Sequence, residues 1–274
     1  MNLKQILLGN RFGDLAMFSR EKLDLLRAAI TQSEAVGTIA NDQLAGRLVC
    51  SICDPNRTFL DIGAHIGSIT SAVQRYDATV NIIAVEAIPE KAEQLRCKFP
   101  KVVVHACAVG EEEGEIEFFI DLKQTGYSSI NRPSSNQIRE IQVPIKRLDN
   151  LIASDTEVDV IKIDIEGAEL GALRGAIGIL SRSSPTVMFE SAPIPSDFSD
   201  AKKDLFGYFN QRHYAILVPN RLAHNDHGLT EAGFLESHLY PRRTTNYFAV
   251  HKDRRQEIRD KARRVLGISV ESII

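Results

Sequence analysis

Short continuous apolar runs alternate along this chain with stretches in which apolar residues recur every three or four positions. The first 56 or so residues read as helical. Leu23, Leu26 and Ile30 form one stripe behind a candidate Ser19 cap, and Leu44, Leu48 and Ile52 form another that ends at Pro55. A first strand opens at Thr58 or Phe59, and a helix follows that turns Ile69, Val73 and Tyr76 inward. Val80 to Val85 is the second strand, and a helix from about Pro89 carries Ala92, Leu95 and Phe99. Val102 to Ala108, Val158 to Asp164 and Thr186 to Glu190 are the third, fourth and fifth strands, each continuously apolar as a sheet covered on both faces requires. Leu170, Leu173, Ile177 and Leu180 read as a single helix, in which Gly171, Gly175 and Gly178 each cost about 1 kcal/mol relative to alanine, so close packing is the expected reason for them. Tyr214 to Pro219 and Asn246 to His251 complete seven strands. The pattern predicts an α/β fold with a doubly wound, mostly parallel seven-stranded sheet, N-terminal helices and an inserted hairpin.

The insertion follows the third strand. Glu115 to Ile120 and Ile141 to Ile145 are extended runs separated by a polar loop, 121 to 140, whose Gly126, Pro133, Ser134 and Ser135 suit turns that close over a site. The boundaries expected are a helical cap at 1–57, a cofactor-binding domain at 58–252 containing the 111–147 insertion, and a helical tail at 253–274. The stretch Lys252 to Arg264 places Ile258, Ala262 and Val265 on one face among interleaved charges, and is read as a solvated helix packing on its own domain.

Composition narrows the function. At 274 residues and 43% hydrophobic, the chain can bury a full core. A net charge of −3 argues against a general nucleic-acid binder, whose surface must neutralise phosphates. No apolar run reaches the roughly 20 residues that span a bilayer, and no basic, apolar and cleavage-site succession opens the chain, so a cytoplasmic protein is expected. Cys50, Cys53, Cys97 and Cys107 are too few for a disulfide scaffold; Cys50 and Cys53, set among leucine and isoleucine at helical spacing, read as buried helix residues rather than a metal or redox pair.

The chemistry concentrates at Phe59-Leu60-Asp61-Ile62-Gly63-Ala64-His65-Ile66-Gly67. A carboxylate closing a strand, with glycines two and six positions later, describes a tight strand-to-helix turn that brings backbone close to a ligand. The next strand delivers Glu86 beside that turn, where a carboxylate accepts hydrogen bonds from the two ribose hydroxyls of a nucleoside. The Asp61 carboxylate would repel a pyrophosphate and suits the ammonium of a methionine moiety, and GxGxxG is missing. S-adenosylmethionine is therefore expected rather than NAD.

At the carboxyl end of the fourth strand stand Asp164 and Glu166, with Glu169 opening the next helix; Glu190 ends the fifth strand. Asp164 and Glu166 are read as functional, Glu169 as an acidic residue suited to a helix N-terminus, and Glu190 as a further candidate. His224, Asp226 and His227 lie in a polar segment and read as a surface or substrate loop, not a metal site.

From Thr58 to Lys252 the chain resembles the FkbM-type S-adenosylmethionine-dependent methyltransferases. The resemblance rests on FLDIGAHIG, AVEAIPE, CAVGEEEGEIEFF, GYSSI, VPIKRLDNLI, IKIDIEGAELGALRGA, VMFES and NYFAVHK, in that order. It implies a class I (Rossmann-like) methyltransferase fold and methyl transfer to a hydroxyl of a sugar, a glycolipid precursor or a polyketide-like molecule. The cofactor contacts then expected are Asp61, Gly63, Ala64, His65, Gly67, Glu86, Ala87, Cys107, Ala108 and Asp164. His65 occupies a position often glycine in the wider class, so its side chain is placed to face cofactor or substrate. Transfer to a hydroxyl needs one proton removed, and Asp164, Glu166 or His65 is the expected base. Asp164 and Glu166 could instead hold Mg²⁺, but no third ligand is evident and no metal is assigned. The expected partner is a small-molecule or glycan acceptor. Two other readings stand beside this one: a non-catalytic cofactor-binding subunit and a nucleotide-dependent oxidoreductase.

Overall fold

Continuous apolar runs become parallel strands here, and the glycine turn joins the first of them to its helix. A computed structural model describes residues 22–121, 137–165, 167–191 and 199–268. The strands are β1 (Thr58–Ile62), β2 (Asn81–Val85), β3 (Val103–His105), β4 (Ala108–Val109), β5 (Gly114–Asp121), β6 (Ile138–Lys146), β7 (Val158–Ile163), β8 (Thr186–Glu190), β9 (Tyr214–Leu217) and β10 (Asn246–His251). The helices are α1 (22–31), α2 (Val36–Val49), α3 (Ser68–Tyr76), α4 (Pro89–Lys98), α5 (Leu148–Leu151), α6 (Glu169–Arg174), α7 (Ile177–Ser183), α8 (Ser199–Gln211), α9 (Glu231–Glu236) and α10 (Arg255–Leu266). Of the described residues, 53–70 and 77–191 form one compact unit, and 22–52, 71–76 and 199–268 form a second. The chain is of the mixed α/β class, with seven mostly parallel strands besides a smaller three-stranded sheet.

In the first unit five strands run parallel in the order β3-β2-β1-β7-β8. Every residue of β1 and β7 is buried, as central strands must be when both faces are covered. The expected third strand, Val102 to Ala108, is two elements: β3 stays in the main sheet, while β4 pairs in parallel with β6 of the small sheet. Continuous hydrophobicity cannot distinguish one sheet from two, because both partners bury the same residue types. The insertion is an antiparallel hairpin with β5 and β6 in register from Gly114 opposite Ile145 to Asp121 opposite Ile138. Its inner face packs Phe118, Ile120 and Val143 on Ile88 and Ala108. GYSSI and most of the polar loop lie outside the described residues.

The helix expected to run unbroken through Leu170 to Leu180 is α6 and α7, divided after Arg174. Gly175 accounts for the break: a Cβ there would stand 2.1 Å from the Gly110 carbonyl oxygen, so β4 and the helix approach with no room for a side chain. Asp149 then serves α7, its two oxygens accepting from the backbone N–H groups of Gly178 and Ile179 at 2.9 Å each. Leu173 and Leu180 are buried, but Ile177 is exposed.

In the second unit β9 and β10 are antiparallel. Asp42 of α2 accepts through one oxygen from Thr244 Oγ1 (2.6 Å), the Thr245 N–H (2.8 Å) and the Asn246 N–H (3.2 Å), which sets the start of β10. Helix α10 buries Ile258 and Ala262, and Arg255 donates to the carbonyls of Leu222 (3.0 Å) and His224 (2.7 Å). The arginines of this tail therefore hold the 221–226 segment. Leu23, Leu26 and Ile30 of α1 are exposed at 62%, 58% and 76%, and the residue that α1 buries is Ala28. Spacing identifies an apolar face without saying what covers it, and a small residue permits the closer approach. Tyr76 of α3 is likewise exposed, whereas Val73 is buried.

His238 lies stacked on Tyr247 at 5.2 Å and edge-on to Phe234 at 4.7 Å, its Nδ1 2.7 Å from the Phe234 carbonyl oxygen. Burial, with the Lys202 ammonium adding to it, pushes the imidazole down to about 4.

Two outcomes follow. Gly175→Ala should cost about 1–3 kcal/mol in urea unfolding, whereas Gly171→Ala, whose added Cβ meets nothing nearer than 3.9 Å, should be neutral or gain up to about 1 kcal/mol; equal losses would refute the packing account. His238 binds its proton far more readily unfolded than folded. Stability should therefore be full above about pH 6.5 and fall as pH drops toward 4, by at most about 3 kcal/mol, and His238→Phe should flatten that part of the urea-midpoint profile.

Candidate active site

The turn after β1 is built by protein packing before any ligand is considered. Gly63 has φ +75°, and a Cβ on it would lie 2.0 Å from the Asp164 carbonyl oxygen; Gly67 has φ +79° and faces the Leu95 and Phe99 side chains. Both glycines are required by neighbouring protein atoms, rather than by the ligand approach that the spacing suggested. Between them His65 adopts φ +52°, a conformation that favours glycine and costs a histidine on the order of 1 kcal/mol. The position's preference for glycine thus has a backbone cause.

Asp61 is fully buried, and both its oxygens face protein. Oδ2 accepts from Thr70 Oγ1 at 2.6 Å and from the Thr70 N–H at 3.2 Å, in the first turns of α3. Oδ1 lies 3.3 Å from Lys162 Nζ. The ammonium expected opposite this carboxylate is supplied by the chain itself. Lys162, the penultimate residue of the buried strand β7, also donates to the carbonyls of Gly63 (2.8 Å) and Ile62 (3.3 Å) and lies 3.5 Å from Asp164 Oδ2. Burial opposes its charge, but the carboxylates of Asp61 and Asp164 prevail and hold the ammonium above its ordinary range. Such a residue was visible in the sequence, since a lysine within a buried strand must find a charge partner.

Beyond the turn, a cavity of about 260 Å³ opens at the carboxyl ends of β1, β2 and β7, where ligands lie in open parallel sheets. Asp61, Gly63, Ala64, His65, Glu86, Ala87, Cys107, Ala108 and Asp164 all line it; Gly67 does not. Lys91, Ile88 and Phe118 also line it and were not singled out by pattern. Phe118 comes from the inserted hairpin, about thirty residues past Glu86, so no local spacing could have marked it.

The lining combines apolar residues, among them Val85, Ile88, Ala108 and Phe118, with charged ones, among them Glu86, Lys91 and Asp164. Glu86 ends β2 with Oε2 accepting from the His65 N–H at 2.7 Å and Oε1 from the Ile88 N–H at 3.0 Å. Burial pushes its carboxyl up, an effect that Lys91 and these two N–H groups partly offset. Each oxygen keeps a lone pair for a further donor. An apolar wall for a planar base beside a carboxylate for two hydroxyls fits an adenosine. Burial pushes the Cys107 thiol up to about 11, so it serves as an apolar wall rather than a nucleophile.

Asp164 follows β7, its side chain 43% exposed. Burial of part of the group would raise its carboxyl; Lys162, a side-chain hydrogen bond with Glu190 and the nearby His65 outweigh this and hold it low. Glu169 accepts from the Gly167 N–H at 3.0 Å and is buried at the start of α6. Glu166 lies outside the described residues. Among the described residues, Asp164 belongs to no group of three side chains placed to hold a metal ion. The His224 to His227 segment belongs to the other unit; there Asp226 accepts from the Gly228 N–H at 2.8 Å and faces Arg221 at 3.7 Å. Among the described residues, no helix is long and apolar enough to cross a membrane.

Residues 61–217 match the family described as "Methyltransferase FkbM domain". "Methyltransferase 1" of Beauveria bassiana (strain ARSEF 2860) is 25% identical over 174 residues, which make up 54% of this chain and 70% of that protein. The crystal structure of methyltransferase FkbM from Methylobacillus flagellatus KT aligns at 20% identity and a TM-score of 0.45, over 72% of this chain and 44% of that one. A methyltransferase from Geobacter sulfurreducens in complex with S-adenosyl-L-homocysteine aligns at 12% identity and a TM-score of 0.36, over 64% of each chain. The chain spans less than half the length of the M. flagellatus protein. It belongs to the FkbM methyltransferase family.

The ion pair at the base of this site is testable by unfolding. Lys162→Met strands a buried carboxylate and should cost about 3–5 kcal/mol in urea. Adding Asp61→Asn should recover part of that loss rather than deepen it, and additive losses would show that the two residues are not coupled.

Proposed function

We propose that this FkbM-family enzyme methylates a hydroxyl of a sugar, a glycolipid precursor or a polyketide-like small molecule, with Asp164 as the base. The observation that carries the reading is the position of Asp164: a half-exposed carboxylate, kept ionised by the buried Lys162, lines the same cavity as Glu86. When bound, S-adenosylmethionine supplies a methyl group on a sulfonium, already a good leaving group.

The residues then have four tasks. Glu86 accepts from the ribose hydroxyls, and Phe118, Ile88 and Ala108 cover the base. Ala64, His65, Ala87 and Cys107 complete the walls that exclude water, which strengthens every charge interaction inside. Asp164 accepts the acceptor's hydroxyl proton, a role that requires a carboxylate within hydrogen-bond reach. Asp61 and Lys162 hold the turn and Asp164 in place, an arrangement in which positioning lowers the barrier by limiting the orientations available. His65, whose side chain borders the cavity next to Asp164, is the second group able to take that proton.

Calorimetric titration with S-adenosylhomocysteine, beside a methyl-transfer assay on a panel of sugar, glycolipid and polyketide hydroxyls, tests the reading. Glu86→Ala should weaken binding by about 10-fold or more, the value of hydrogen bonds to a charged group. Because burial raises the Glu86 carboxyl, wild-type affinity should start to fall at a higher pH than an ordinary carboxylate would dictate, as protonation removes an acceptor; Glu86→Gln should lack that limb. Asp164→Asn should lose about 10²–10⁴ in kcat while saturable binding persists. Methylation by Asp164→Asn at the wild-type rate would remove Asp164 from the role, and transfer to nitrogen or carbon acceptors alone would overturn the hydroxyl assignment.

A further inference from the structure

Three residues of one short segment line the cavity: Glu86 just after β2, Ile88, and Lys91 in the first turn of α4. Ile88 fixes their spacing. Its N–H donates to Glu86 Oε1 at 3.0 Å, and its carbonyl accepts from the Lys91 N–H at 3.0 Å, so carboxylate and lysine are both tied to this residue. Ile88 also packs with Ala108 and Phe118. The segment therefore offers the cavity a carboxylate, an apolar side chain and an ammonium in succession.

A lysine is electrostatically disfavoured at this place. It is the third residue of α4, where the positive end of the helix opposes a cation, and its half-buried side chain has lost part of its hydration. The methyl donor is itself cationic at sulfur, so an ammonium beside the sulfonium would repel it. The nucleoside keeps the two charges apart when Glu86 holds the ribose and Lys91 meets the base. Apolar contacts hold any flat ring alike, whereas the ring nitrogens of adenine carry in-plane lone pairs that accept a hydrogen bond.

We infer that Lys91 donates from its ammonium to a ring nitrogen of the cofactor's adenine and so contributes the base specificity of the cavity. This rests on the cofactor occupying the cavity as proposed above. Glu86 serves the ribose, Ile88 and Phe118 cover the face of the ring, and Lys91 reads its edge.

The contact is tested by calorimetric titration of wild type and Lys91→Met with S-adenosylhomocysteine and with analogues in which N1, N3 or N7 of the base is replaced by C–H. Wild type should bind one of these analogues about 10-fold or more weakly than S-adenosylhomocysteine, the value of a hydrogen bond from a charged donor. Lys91→Met should lose a similar factor on S-adenosylhomocysteine and on the other analogues. It should bind the sensitive analogue about as wild type does, because the lost donor and the lost acceptor belong to one bond. Equal wild-type affinity for every ligand overturns the inference. So does a Lys91→Met loss of the same size on every ligand, the result expected of a lysine that acts through charge on Glu86 or over the face of the ring. The wild-type series needs no substitution and stands even if Lys91→Met fails to fold.

Glu86→Ala separates this contact from the cofactor reading beneath it. It should weaken all the ligands alike, since each keeps its ribose. If it does so and no ligand escapes the effect of Lys91→Met, the cofactor reading stands and the base contact falls. If wild type binds none of the ligands, the cofactor reading falls and takes the base contact with it.

Discussion

A buried ammonium between two carboxylates is the constraint on which the site depends. Lys162 sits near the end of a fully buried strand, and its charge is tolerable only because Asp61 and Asp164 stand within 3.5 Å and two backbone carbonyls accept from it. Those partners come from the end of β1, from the glycine turn and from the end of β7. One side chain thereby ties the two central strands to the loop that shapes the cavity. The arrangement also divides labour between the acids: Asp61 is spent inside the protein on Lys162 and Thr70, and Asp164 borrows the same cation while remaining half in solvent.

The glycine turn follows from that packing. Because the Asp164 backbone passes against Gly63, and Leu95 and Phe99 against Gly67, the loop is pressed into positive φ at both places. His65 is carried into the same region between them and donates its N–H to Glu86. The cavity is thus shaped by contacts within the protein alone, which is the sense in which it is preorganised. The inserted hairpin adds the apolar half: Phe118 lies on Ile88 and Ala108, so a segment that interrupts the strand–helix alternation completes the pocket.

How much of this was legible depended on the range of the interaction involved. Asp61, Gly63, Ala64, His65, Glu86, Ala87, Cys107, Ala108 and Asp164 were marked by short motifs at strand ends, and the structure brings them to one cavity. Motif reading found where the residues sit without showing their partners: Asp61 lines the cavity and is also the internal partner of Lys162 and Thr70. Gly175 looked like a glycine within one helix, and it ends that helix against Gly110. The stripe of Leu23, Leu26 and Ile30 correctly predicted a helix, yet these side chains are exposed, because period reports a helix's shape and not its neighbours. Glu190 was visible as the last residue of a strand, but its place next to Asp164 depends on which strand lies alongside.

By itself the sequence determined the strand–helix alternation, the glycine turn, the acids at strand ends and the family, because each is written in residues a few positions apart and answers to backbone geometry or local periodicity. Only the tertiary structure decided the partners of the charges, the placing of Phe118 in the pocket wall, the division of the third strand between two sheets and the placing of Glu190 on the strand beside Asp164. The physical reason is that electrostatic and packing energies depend on distance in space. In this fold the groups that decide them lie a hundred residues apart or more, as Lys162 and Ile62 or Asp42 and Thr244 do.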